Sequence, residues 1–346
     1  MEIKPSKWKE RLDRSIKLRK IRLDEARRFQ RAYTGDYNEK PSKGLDEDKD
    51  AAVVNFIFSF IETTMPSILS GMPKVFLDPK TPESESSTRN LQANINYWFR
   101  ELGLKQQFFS CLFDSYFSHY AFLTEWEFQE ETIEAPLQIG VDPMTGKPIF
   151  DPTRTAPRRV TTVDQPLARR IDPWDVILDP DAKDRSLDRW RAMELLMTKE
   201  EFDSLPGVGS KMKEKISAQQ IPDESIAQPL GKNRNYGGSD VEWITLYKIY
   251  DLENETVKLL PAGEAIDDFV EMKDWPFHFE VENDRFPITV RGGKKDVSNP
   301  YPFSEFKAYW VQIQEKNRFR TMIQSHVRRH SPGWLGKKGA MDEEQK

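Results

Sequence analysis

Two long stretches of helical hydrophobic spacing, residues 5–33 and 304–330, stand near the two ends of this chain. Between them the pattern changes repeatedly from a period of 3.6 to a period of 2 and back. A chain that switches period in this way must combine helices with antiparallel sheet, so the expected class is α+β. In the first stretch Trp8, Leu12, Ile16, Arg19 and Leu23 fall near helical spacing, with basic residues on the other faces. Lys17, Arg19, Lys20, Arg22, Arg27, Arg28 and Arg31 offer a nucleic-acid contact. Asp13, Asp24 and Glu25 interleave with them, and a solvated helix face is the preferred reading.

Residues 34–50 read as a polar linker punctuated by Gly and Pro. A buried helix follows from about Asn55, stopped near Pro66, and KVFLDP reads as a short strand. TPESESSTRN opens a helix that ends near Gly103; QQFFSCLFDSYFSHYAF gives a second one, apolar on most faces. LTEWEFQEET alternates as a strand should, and the Pro- and Gly-rich residues 135–168 read as a hairpin or long loop. RRIDPWDVILDP is taken as one strand between two Asp-Pro turns. A strand and a short helix follow, with Thr198 and Glu201 as a capping box. Residues 204–240 are polar and weakly periodic. VEWITLYKIYDLENETVKLL is a hairpin, and FHFEVENDRFPITV continues the β pattern. Ser304 can cap the last helix, and Pro332-Gly333 ends it.

Composition excludes several classes. The 346 residues are 32% charged and 12% aromatic, which fits a folded chain. The longest apolar stretch, Ala51 to Ile61, is interrupted and too short to span a bilayer, and no secretory signal opens the sequence. A net charge of −5 argues against a dedicated duplex-binding domain. The single cysteine, Cys111, sits among Phe108, Phe109, Leu112 and Phe113 and reads as a buried thiol. No phosphate-binding loop, dinucleotide fingerprint or nucleophile elbow is present, so no cofactor is expected.

Two constellations carry possible chemistry. His326 and His330 have i,i+4 spacing, but arginines lie between them and a third ligand is missing, which argues against a metal. Asp172, Asp175, Asp179, Asp181 and Asp184 suit a two-metal nuclease on one reading and turn chemistry on the other. Two of them directly precede Pro, and turns are preferred.

The order of segments is similar to that of the portal proteins of tailed bacteriophages, from about Asn55 to His330. NFIFSFIETTMPSILSGMPKVFLDP looks like that family's Asn-led helix and Pro-flanked strand, and WFRELGLKQQFFSCLFDSYFSHYAFLTEW like its helix pair and strand. PLARRIDPWDVILDPDAKDRSLDRWRAMELLMTKEEF is the most specific piece, VEWITLYKIYDLENETVKLL resembles the following strand pair, and FPITVRGGKKDVSNPYPFSEFKAYWVQIQEKNRFRTMIQSHVRR resembles the approach to the stem. After the charged helix and polar linker read over residues 1–50, the resemblance implies a wing-like domain of mixed helices and short antiparallel strands over 51–300. A long stem helix over 301–331 and the start of a clip-like region over 332–346 complete it, with the later portal parts expected to be missing.

The resemblance also implies a structural, non-enzymatic role at the capsid vertex of a virion, made in the host cytoplasm. The expected state is a homo-oligomeric ring, a dodecamer, that passes double-stranded DNA during packaging and ejection. Its implied partners are the terminase large subunit, capsid and scaffolding proteins, and head-completion and tail proteins; no membrane is implied. Lys316, Arg318, Arg320, Arg328 and Arg329 are the expected channel or subunit contacts. The alternatives are a metal-dependent DNA-processing enzyme built on Asp172 to Asp184, and a virion adaptor that is monomeric until recruited.

Overall fold

A computed structural model describes residues 4–37, 53–71, 74–141, 148–182, 185–205, 208, 213, 216, 243–262, 268–275, 285–296 and 298–329. The class is α+β. Helix α1 (Pro5–Tyr33) begins with Pro at its first turn, where no intrahelical N–H is lost. Its buried residues include Trp8, Leu12, Ser15, Arg19, Arg22, Ala26 and Phe29, a seven-residue repeat that keeps one face inward. That face runs past most of the body. Trp8 and Leu12 pack with Ile177, Trp190 and Ile249, while Ala26, Phe29 and Ala32 pack with helices α2 (Phe56–Ile68) and α4 (Leu104–Phe117).

Asn55 accepts the Phe58 N–H and so caps α2. α2 ends at Ile68, two residues past Pro66, near where the sequence places its stop. Pro66 lacks the N–H that would bond the Glu62 carbonyl one turn back, and the helix stops two residues later. KVFLDP is not a strand: residues 74–79 carry no strand pairing. Helix α3 (Glu85–Glu101) holds them with side-chain amides instead. Asn96 both accepts the Val75 N–H and donates to the Val75 carbonyl, and Gln92 accepts the Leu77 N–H. Gly103, at φ 59°, separates α3 from α4, as its freedom at positive φ predicts.

Strands β1 (Tyr120–Val141) and β2 (Pro148–Ile171) form one antiparallel hairpin of 22 and 24 residues. Of the two sequence readings for residues 135–168, hairpin and long loop, the hairpin is the one found, with strands far longer than the short ones expected. The prolines and glycines of residues 135–168 sit within or beside paired strands, and register shifts near Gln129, Pro136 and Gln138 absorb the irregularities. Residues 172–175 turn, so RRIDPWDVILDP is the end of β2 followed by a separate strand, β3 (Val176–Leu178). β3 opens a five-stranded antiparallel sheet with β4 (Trp190–Thr198), β5 (Trp243–Asp251), β6 (Thr256–Pro261) and β7 (Glu271–Asp274), in the order β3-β4-β5-β6-β7.

Thr198 and Glu201 form the expected capping box of α5 (Lys199–Ser204). β8 (Ile288–Arg291) pairs with the base of β1 in the second sheet, ordered β2-β1-β8. Gly292 and Gly293, both at positive φ, then turn the chain away; a Cβ on Gly293 would overlap the Ser118 carbonyl. Helix α6 (Phe306–Arg329) follows. Cys111 is buried as expected, and burial pushes its thiol up to about 12. The expected strand over FHFEVEND and most of residues 206–242 lie outside the described residues.

The main core lies where the two sheets meet, with Leu123, Ile171, Leu178, Met193, Tyr250, Ile288 and Tyr301 among its members. A polar belt crosses it. Tyr301 Oη accepts the Leu178 N–H and shares a hydrogen bond with Ser15 Oγ, which donates to the Leu178 carbonyl. Beside it His119 is fully buried, with Nδ1 against Ser118 Oγ at 2.9 Å. Burial, then the charges of Arg185 and Arg19, push its pKa down to about 3. His119 is therefore neutral in the folded protein, whereas the unfolded chain takes up a proton below about 6.5. The unfolded state thus gains a proton that the native state refuses. Stability should fall with decreasing pH by about 1.4 kcal/mol per pH unit from this residue, from about 6.5 towards 3. Denaturant unfolding of native protein and His119→Gln at pH 4 to 7 should show that slope in the difference between them; parallel curves would refute it.

Candidate subunit interface on the last helix

The last helix is planted in the body at its start and leaves it towards its end. Ser304 Oγ accepts the Phe306 N–H and donates to the Tyr116 carbonyl, which anchors the first turn of α6 to α4. Phe306 and Trp310 are buried, and Phe29 meets the Trp310 ring edge-on at 5.4 Å. Tyr37 stacks on Trp310 at 5.8 Å. Two turns beyond Trp310, Asn317 accepts the Val54 N–H. Beyond Asn317 no residue with described burial on this helix is buried.

The opposite face is apolar as well. Phe319, Met322, Ile323 and Val327 are each more than half exposed, as is Val311. The spacing 319, 322, 323, 327 is a helical stripe. It lies away from the Phe306, Trp310 and Ile313 stripe that meets the body. Ile313 packs on the protein's own core, while Tyr309 and Ile323 are exposed. A helix with two apolar stripes was visible in the spacing, but one stripe alone accounts for an ordinary surface helix.

The expected basic contacts separate. Arg318 and Arg320 are exposed and have no ion-pair partner among the described residues. At about 100° per residue they flank Phe319 on either side of the helix. Lys316 is turned back, its ammonium 4.2 Å from the centre of the Phe56 ring. Arg328 and Arg329 lie on the last turn of α6, with side chains outside the described residues. His326 is exposed on the same helix; His330 lies outside the described residues.

The basic residues of α1 divide: Lys17, Lys20, Arg28 and Arg31 are exposed, as the solvated-face reading expects, and Arg19 and Arg22 are not. Arg19 and Arg22 are buried, Arg19 paired with Glu194 at 3.0 Å and Arg22 with Glu25 and Asp296. Arg27 pairs with Asp24 and covers the Trp174 ring at 4.4 Å. Arg19 and Arg22 therefore serve the fold from within, and Arg27 is half-buried beside them.

The acidic run behaves as turn chemistry. Asp172 accepts the Trp174 N–H, and Asp179 accepts the Asp181 N–H and the Arg189 guanidinium. Asp181 pairs with Arg189 and Arg14. Asp175 sits in the same turn, its N–H given to the Asp172 carbonyl; Asp184 lies outside the described residues. Among the described residues no three His, Cys, Asp or Glu side chains gather as metal ligands do, and no helix is long and apolar enough to cross a membrane. No protein-family model matches the chain, and no curated protein sequence is significantly similar to it.

Proposed function

We propose that this chain is a structural subunit of the portal ring of a tailed bacteriophage, acting through assembly and geometry and not through catalysis. The observation that carries the reading is α6. One stripe is fixed to the body, and the other presents Phe319, Met322, Ile323 and Val327 between Arg318 and Arg320. An exposed apolar stripe of this kind marks an interaction site. A head-to-tail contact between identical copies, repeated around an axis, closes into a ring. The order of segments from Asn55 to His330 supports the same reading. In it the ring sits at a capsid vertex, docks the terminase and the head-completion and tail proteins, and passes DNA inward during packaging and outward during ejection. A net acidic chain suits passage, because each neutralised phosphate would add affinity and slow the sliding strand. Arg318 and Arg320 then face either the channel or the neighbouring helix.

The test is particle mass by light scattering, with negative-stain imaging of the same fractions. Closed rings with a central hole are expected, and Phe319→Glu with Ile323→Glu should reduce them to monomers. Both side chains are exposed, so these changes should shift the thermal midpoint little: surface substitutions typically cost less than ~0.5 kcal/mol. A native chain that stays monomeric at high concentration would exclude the ring and favour an adaptor that waits for recruitment.

A further inference from the structure

The β1/β2 hairpin extends far past the sheet that anchors it. β8 pairs with β1 only from Tyr120 to Leu123, with one further bond from the Thr124 N–H to the Pro287 carbonyl. From there to Val141 the hairpin continues as a two-stranded ribbon roughly 60 Å long. Its base is held by Glu125, which accepts hydrogen bonds from Lys248 and Tyr250 of the larger sheet. A two-stranded ribbon alone in water is marginal at best. Both of its long edges also carry backbone groups that a further strand can use.

The edges are defined by printed contacts and by parity. The Thr124 N–H points to β8, away from β2, so Trp126, Phe128, Glu130 and Thr132 present their N–H groups to the same outer side. The Arg170 N–H goes to Gln107 Oε1, which marks the outer side of β2. Counting from these points, Pro136, Pro157 and Pro166 all fall at outward positions, the two β2 prolines opposite Glu134 and Trp126. The ladder inside the hairpin therefore loses no bond to them. They instead notch the outer edges and leave two bounded stretches, Thr124 to Ala135 on β1 and Arg158 to Gln165 on β2. The strands are also opposite in charge. β1 holds five glutamates and no basic residue; β2 holds five arginines and two aspartates.

We infer that the β1/β2 arm is an interlock between copies of this chain, the β1 edge of one arm pairing with the β2 edge of the next. This rests on the ring reading. Copies related by rotation about one axis hold their arms in the same direction, so β1 of one copy runs opposite to β2 of its neighbour. That is the antiparallel direction the two strands already have within each hairpin, and it sets an acidic strand beside a basic one. The contact is head-to-tail, as a ring requires, and the prolines confine it to a short register that cannot slide. A second copy is the occupant because it alone is certain to offer both complementary edges together.

Charge reversal separates contacts between copies from contacts within one arm. Glu130→Lys with Glu131→Lys on one chain, and Arg158→Glu with Arg159→Glu on another, should each weaken self-association about tenfold or more by light scattering of the full chain. Mixed in equal amounts the two variants should recover most of it. Each still has a mismatched hairpin of its own, but every junction between unlike copies is again acid against base. If the single variants assemble like native protein, the arm plays no part in assembly and the ring reading stands without it. Loss without recovery in the mixture would mean that the charges act only within each arm, which also overturns the interlock. A native chain that never associates sinks both the interlock and the ring.

Discussion

Replacing Arg191 by alanine is expected to lower the unfolding free energy by about 3–5 kcal/mol, a large fraction of the stability of an ordinary domain. Arg191 is 1% exposed. Its Nε donates to Asp188 at 2.8 Å, and its terminal nitrogens donate to the Ile288 and Arg185 carbonyls at 2.6 and 3.1 Å. Its guanidinium also lies 4.4 Å from the centre of the Phe286 ring. One side chain thus ties β4 to β8 and so joins the two sheets. The Asp188 side chain has no exposure, and burial pushes its carboxyl up to about 6 against the pull of Arg185 and Arg191. Truncation would leave that carboxylate and two carbonyls buried without their main donor. The cost arises from stranding these groups, since a buried ion pair as a whole is weak evidence of stability. Arg191→Met combined with Asp188→Leu should therefore recover most of the loss. Denaturant unfolding at pH 7 of native, single and double variants measures both; a single-variant loss below about 1 kcal/mol would show that the pair is not sealed from water.

Trp8→Ala should cost a similar amount, about 3–5 kcal/mol, although Trp8 lies in the first turn of a terminal helix. Terminal residues usually tolerate change because they touch little. Trp8 is fully buried, meets the Trp190 ring edge-on at 5.5 Å, and has the Lys258 ammonium 5.5 Å from its centre. Lys258 is itself buried and paired with Asp251 at 2.7 Å, so removing the indole also opens that pair to rearrangement. Hydrogen exchange should show where the loss falls. Protection should drop first in the N-terminal half of α1 and in β4 and β6, while the end of α1 around Phe29 stays tied to α2, α4 and α6. A small loss confined to fraying of the first turn would mean that α1 is an appendage and not a spine.

Much of the fold was legible because its signals are local. Pro5, Gly103, Ser304, the Thr198/Glu201 box and the turn between β5 and β6 act within a few residues of themselves, and the structure has each where the pattern put it. The failures share a cause. KVFLDP has strand composition, but no strand edge reaches it, and the amides of Gln92 and Asn96 take that place. The prolines of residues 135–168 leave hairpin and loop both open until one knows which side of the ladder each faces. On the candidate site, the spacing of α6 was readable, as was the exposed position of Arg318 and Arg320; the turn of Lys316 onto Phe56 was not.

The sequence by itself determined the class, the length and period of most elements, the chemistry of their caps, and the turn character of the Asp172 to Asp181 run. Those follow from contacts that a residue makes with neighbours three or four positions away. Only the tertiary structure decided which charges face inward. The acids that bury Arg19 and Arg22, Glu194 and Asp296, lie far along the chain from α1. It likewise decided that α1 is a spine, that the hairpin is an arm, and that one stripe of α6 is left open. Each of these depends on which distant surface arrives to cover a face, and a periodic pattern specifies the face but not its cover.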